Sequence, residues 1–235
     1  MNQPPSCKNS MVVVFGRPGA GKTTVSNKAY EKIQNEKDTI IETNDHHPRK
    51  CLLLDLDVCV PTWMRDNFAK GIYPTLEQRR EFATSACDYI DKEMDTFISS
   101  AAGTTTTTTS NDILAIISFS FVNTDLREYF ISRFPQARWA LVDVNDSVAQ
   151  DRINQREGHF YKGAPQSAPQ SNNNDDNDAP MKGSKKISDE KFEKNSSDNS
   201  EWDFAPVDFD HVILNGLDPV EKNAGIVINM LVSSS

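Results

Sequence analysis

From Val12 the chain reads Val12-Val13-Val14-Phe15-Gly16-Arg17-Pro18-Gly19-Ala20-Gly21-Lys22-Thr23-Thr24, an apolar run that breaks at a glycine and restarts as a polar helix. A short β-branched run of this kind is a strand buried on both faces. Gly16, Gly21, Lys22 and Thr23 fill the four fixed places of the pattern G-x-x-x-x-G-K-[ST]. Each residue type has a physical task. Glycine reaches positive φ and lets backbone approach a ligand closely. The N–H groups of the turn, with Gly19, Ala20 and Thr24 alongside, then point inward as an anion cradle at a helix N-terminus. Lys22 adds a mobile point charge for terminal phosphates, and the Thr23 hydroxyl is a ligand for Mg²⁺. The pattern therefore implies Mg-ATP, and it commits the first strand to a parallel, helix-covered sheet.

A chain of 235 residues is long enough for one α/β domain with a well-buried core. Its net charge of −9 gives nucleic acid no electrostatic footing. No apolar run approaches the roughly 20 residues that cross a bilayer, so no membrane partner is expected. Residues 1–10 read as a polar tail without signal-peptide or transit features. The four cysteines, Cys7, Cys51, Cys59 and Cys87, form no C-x-x-C pair and read as free thiols in the cytoplasm.

Along the chain, strands are expected at 11–15, 51–57, 113–117, 139–144 and 211–214. Helices are expected from 21 to about 34, from Pro61 to Gly71, from Thr75 through Phe97, from 123 to 134, after Asp146 as cap, and over 217–231. Thr75 and Gln78 stand at capping-box distance. Trp63, Met64 and Phe68 read as one apolar helix face. His46-His47-Pro48 reads as a solvated loop. Residues 103–110 carry six consecutive threonines and read as a low-complexity loop. Residues 162–200 are rich in Asn, Asp, Ser, Lys, Gln and Pro and are expected to be a disordered insertion. The single folded domain then comprises 11–161 and 201–232. Alternating strands and helices give a five-stranded parallel sheet covered on both faces.

Chemistry is expected at the C-terminal ends of these strands. Asp55 and Asp57 close the second strand and share a face if it continues through both. One is placed to hold Mg²⁺, the other to bind or deprotonate a substrate hydroxyl. Arg152 and Arg156 lie one helical turn apart. Such a pair suits a lid over ATP, one guanidinium on adenine and the other on phosphate, with Gly158 as hinge and the lid running to about Phe204. Arg79 and Arg127 are further candidates for an anionic or polyhydroxy substrate.

These residues resemble the gluconate kinases, within the shikimate-kinase-like and nucleoside-monophosphate-kinase-like P-loop small-molecule kinases. The resemblance covers Gly16 to Thr23, Asp55-Leu56-Asp57, Pro61, Arg65, Lys70-Gly71-Ile72, Arg79, Ser120 and Arg127. Most specific is Arg152 followed by Arg156-Glu157-Gly158-His159-Phe160. It implies an α/β P-loop NTPase fold with a lid, and transfer of the γ-phosphate of Mg-ATP to gluconate or a related sugar acid or polyol. It further implies Asp55 and Thr23 beside Mg²⁺, and Asp57 on the accepting hydroxyl. Arg65, Arg79 and Arg127 would line the acceptor pocket. Arg152 would contact adenine, and Arg156, with Lys22 and Asp57, would act in catalysis. Val60 stands where that family has a histidine, and Asn123-Thr124 where it has a lysine pair. Each lost charge-assisted bond to a sugar acid is worth about 1.5–3 kcal/mol, which points to a different acceptor. The alternatives are a shikimate- or nucleotide-type kinase of the same fold and a nucleotide-binding regulator without catalysis. The enzyme is expected as a monomer or homodimer.

Overall fold

The architecture is that of a computed structural model, which describes residues 10–35, 50–102, 113–156, 161 and 203–233. The expectations for the N-terminal tail, His46-His47, Cys7, the threonine run, Gly158 and the 162–200 tract fall outside these residues.

Five parallel strands stand in the order β2-β3-β1-β4-β5. They are β1 (Ser10–Phe15), β2 (Lys50–Asp55), β3 (Ile113–Ser118), β4 (Arg138–Asp143) and β5 (Val212–Asn215). The helices are α1 (Lys22–Asn35), α2 (Thr62–Ala69), α3 (Leu76–Ala102), α4 (Thr124–Arg133), α5 (Asp146–Asn154) and α6 (Val220–Val232). β1 is central, and all six of its residues are buried. Strand alternation sorts its side chains between two cores. Met11, Val13 and Phe15 face the layer of α2, α3 and α4, with Met64, Phe82, Ile90 and Phe130. Val12 and Val14 face α1, α5 and α6, with Val25, Ala149, Ala224 and Val227.

The first core is aromatic. Trp139 meets Phe15 edge-on with centroids 5.2 Å apart, Phe121 at 5.3 Å and Phe209 at 5.0 Å. Pairs in this geometry add about 0.5–1.5 kcal/mol each beyond the area they bury. Through Phe204, Val207 and Phe209 the segment before β5 packs onto this core. Its Ala205 N–H also donates to the Val122 carbonyl at 2.9 Å.

Three sequence expectations need correction. β2 stops at Asp55 rather than running through Asp57, because the Asp55 carboxylate accepts the Asp57 N–H at 3.1 Å and caps a 3₁₀ turn over Leu56–Cys59. α5 is capped by Asn145, whose side chain takes the Val148 N–H at 2.9 Å, while Asp146 is the first helical residue. On α2 only Met64 is fully buried, and Trp63 is 40% exposed. The Thr75–Gln78 capping box is present in both directions, at 2.9 and 3.3 Å.

Candidate active site

The turns after β1, β2 and β3 converge on one cavity. Three glycines shape the first. Gly16, Gly19 and Gly21 have φ of 145°, 82° and 105°, values that L side chains rarely adopt. Packing forbids larger residues as well. A Cβ at Gly16 would lie 2.5 Å from the Val142 carbonyl, and one at Gly19 would lie 2.3 Å from the Ala149 carbonyl. The loop is thus pressed against β4 and α5 by backbone alone.

Lys22 opens α1 buried, its Nζ donating to the Arg17 carbonyl at 3.0 Å. Burial pulls its pKa down to about 8, against the opposing charges of Asp57 and Asp55, and Arg156 lowers it further. Thr23 follows, its hydroxyl donating to Asp55 Oδ2 at 3.0 Å. Burial raises the Asp55 pKa above the usual carboxylate range, and the neighbouring Asp57 charge adds to this.

Asp57 reaches the same cavity from the 3₁₀ turn, not from a continuing strand. Arg65 holds that turn from behind, donating through Nε to the Val60 carbonyl at 2.9 Å and through Nη2 to the Asp57 carbonyl at 2.6 Å. It braces Asp57 and does not line the cavity. Arg79 does line it, but already gripped: Nε reaches the two Asp125 oxygens at 3.0 and 3.3 Å, and Nη1 the Pro74 carbonyl at 2.8 Å.

Arg127 departs furthest from expectation. Only 1% exposed, it lies outside the cavity wall. Its guanidinium donates to the carbonyls of Phe121 (2.7 Å), Pro206 (2.7 Å) and Val122 (3.1 Å) and stacks over Phe204 at 4.4 Å. Burial lowers its pKa to about 10, so it stays charged at neutral pH. The acceptor role expected for Arg127 is replaced by a structural one. It ties α4 to the returning segment and to Phe121, whose φ of 46° is otherwise a strain of about 1–3 kcal/mol.

The arginine pair from α5 flanks the phosphate loop. Arg152 donates to the carbonyls of Ala20 (3.0 Å) and Gly216 (3.1 Å), joining the loop to the turn after β5. Beside it a second hollow is lined by Gly19, Ala20, Gly21, Thr24, Arg152, Asp218 and Asn223. Arg156 lines both hollows and so stands where they meet.

Sequence reasoning missed two sets of groups. One is Ser118, which ends β3 in register with Asp55; it is 1% exposed and its Oγ has no hydrogen-bond partner among the described residues. The other is a set of apolar walls, Val60, Met64, Phe68, Phe82, Phe119 and Leu126, with Tyr73 and Tyr161. The helical spacing of Phe82 marks it as core, and nothing local marks the rest as ligand-facing. The cavity is open to solvent at its mouth.

Phosphates and Mg²⁺ suit this donor set. The glycine turn is a cradle that a Cβ would fill. Thr23 and Asp55 offer paired hard oxygens, and Mg²⁺ commonly takes one or two protein oxygens and completes its shell with phosphates and water. The buried Ser118 hydroxyl adds a polar group at the same strand ends.

No protein-family model matches the sequence. Solved structures do match the fold. An unliganded sugar kinase from Janibacter sp. HTCC2649 is 18% identical, over 95% of this chain and 94% of its own, with a TM-score of 0.57. A gluconokinase from Sinorhizobium meliloti 1021 is 14% identical, over 94% and 91%, with a TM-score of 0.52. The APS kinase of Mycobacterium tuberculosis, solved with AMPPNP and APS, is 11% identical, over 97% and 100%, with a TM-score of 0.54. The chain therefore has the α/β fold shared by these P-loop kinases. Among the described residues no helix is long and apolar enough to cross a membrane.

Proposed function

We propose that this chain is a kinase that moves the γ-phosphate of Mg-ATP to a hydroxyl of a small metabolite. One observation carries the reading: the phosphate cradle, Asp57 and the side chains of α2, α3 and α4 line one and the same cavity. A protein that only held nucleotide would need the cradle but not a further carboxylate on the wall of the same cavity.

The residues divide the work. Backbone N–H groups of the Gly16–Thr23 turn, with Lys22 and Arg156, hold the phosphates and offset charge on the transferred group. Thr23 and Asp55 would hold Mg²⁺, which when bound screens the phosphate oxygens. Arg152 and Thr24 border the hollow that suits the nucleoside end. Asp57 orients the acceptor hydroxyl and takes its proton as the oxygen bonds to phosphorus. The bond from phosphorus to the β-phosphate oxygen breaks, and ADP leaves with that electron pair. Arg65 positions Asp57 through the 3₁₀ turn.

Acceptor-dependent release of ADP by the full-length protein tests the reading. Lys22→Ala should lower kcat by about 10³-fold or more while leaving the circular-dichroism melting curve in place. Turnover by that variant at the wild-type rate would remove the assignment.

A further inference from the structure

Resting on the kinase reading, we infer that Ser118 is a positioning residue at the metal end of Mg-ATP, its hydroxyl accepting from a water in the shell around the ion. Three observations carry this.

The first is place. Strand alternation puts Leu114 and Ile116 of β3 in the core beneath α1, with Val25 and Ala29, and Ser118 continues that face. Cys51 of β2 lies in the same core, and Asp55, four residues on, shares its face. Ser118 and Asp55 are paired in register, on neighbouring strands of the kind that run about 4.8 Å apart. The Asp55 carboxylate in turn takes the Thr23 hydroxyl at the start of α1. Lys22, Thr23, Asp55 and Ser118 all line the one cavity.

The second is an unmet hydroxyl. Ser118 is buried, and its Oγ finds no hydrogen-bond partner among the described residues. Packing alone would be served by alanine, as at Ala115 on the same strand, without the cost of an unpaired polar group. That cost is offset once something bound in the cavity reaches the hydroxyl.

The third is the chemistry of its neighbours. Thr23 and Asp55 are the hard oxygens suited to Mg²⁺, which dehydrates reluctantly and keeps several waters beside one or two protein oxygens. Those waters donate and need acceptors. A side chain set as deeply as Ser118 admits a water-sized partner and excludes a bulky one. Its lone pairs, beside Asp55, are placed for that shell.

The experiment titrates the full-length chain with a non-hydrolysable ATP analogue by calorimetry, in Mg²⁺ and again in EDTA. Ser118→Ala should weaken the analogue about five- to tenfold in Mg²⁺ and leave its affinity in EDTA within about twofold. The half-saturating Mg²⁺ concentration at fixed analogue should rise, and the melting temperature without ligand should not fall. Ser26→Ala is the comparison. Ser26 is equally buried, its Oγ also lacks a partner among the described residues, and it lines neither hollow, so neither affinity should change. Four results overturn the inference and leave the kinase reading standing: unchanged affinity in Ser118→Ala, an equal loss with and without Mg²⁺, a lower melting temperature without ligand, or the same Mg²⁺-dependent loss in Ser26→Ala. No binding of the analogue to the wild-type chain in Mg²⁺ brings down the kinase reading and this inference with it.

Discussion

At the phosphate end of the cavity, the groups that would meet a ligand come from one contiguous turn, residues 16–24. Most of them are backbone N–H groups whose directions are set by three glycines of positive φ. At the acceptor end they come from the 3₁₀ turn after β2, from α2, α3 and α4, from the loop after β3, and from Tyr161. These are almost all side chains, brought together by packing. The contrast teaches where function is rigidly encoded. A backbone cradle tolerates change at most of its positions but not at its glycines. A side-chain chamber can change its ligand by changing one residue, provided the frame behind it holds. Arg127 belongs to that frame, as does Arg65.

The sharpest way to break this division is at Arg127. Arg127→Met removes three hydrogen bonds, two of them buried, and takes that donor from the Phe121 and Pro206 carbonyls while Val122 keeps the Ala205 N–H, so it should destabilise the fold by about 3–5 kcal/mol. Urea unfolding would measure it. If stability is unchanged and only acceptor KM rises, Arg127 is a ligand group and the frame reading fails.

Next is Gly19→Ala. Its Cβ would enter the Ala149 carbonyl at 2.3 Å with φ at 82°, so the loop must move. ATP affinity should fall by about 10²-fold, while the affinity of a chosen acceptor, measured without nucleotide, stays within about twofold. Equal losses at both ends would show that the two halves are coupled through the loop.

The smallest effect is with pH. The Lys22 pKa is lowered by burial to about 8, so above that value the free protein carries a neutral amine. A bound polyphosphate favours the charged form, and binding must then take up a proton. ATP affinity should therefore fall by up to about tenfold per pH unit above 8, and Lys22→Met should flatten the slope. The stability sign runs the other way. Because the folded pKa lies below the unfolded one, burying Lys22 costs stability at low pH, and this cost is relieved as pH rises from about 8 to the ordinary lysine value. Titration calorimetry in two buffers of different ionisation enthalpy would detect the proton uptake.

The sequence alone determined the sheet and the phosphate cradle. Both depend on local rules: strand alternation, glycine at positive φ, and a capping box such as Thr75–Gln78. It also placed Asp55 and Asp57 in the site, though by a route the structure replaces, because a carboxylate capping its own turn competes with strand continuation and here prevails. Only the tertiary structure decided which arginines line the cavity. Arg79 and Arg127 look alike in sequence, yet one lines the cavity and the other is buried on a carbonyl 79 residues away, at Pro206. A guanidinium has no local preference between a ligand and a distant carbonyl. Its choice is set by which unsatisfied acceptors the packed core leaves beside it, and that exists only once the chain has closed on itself.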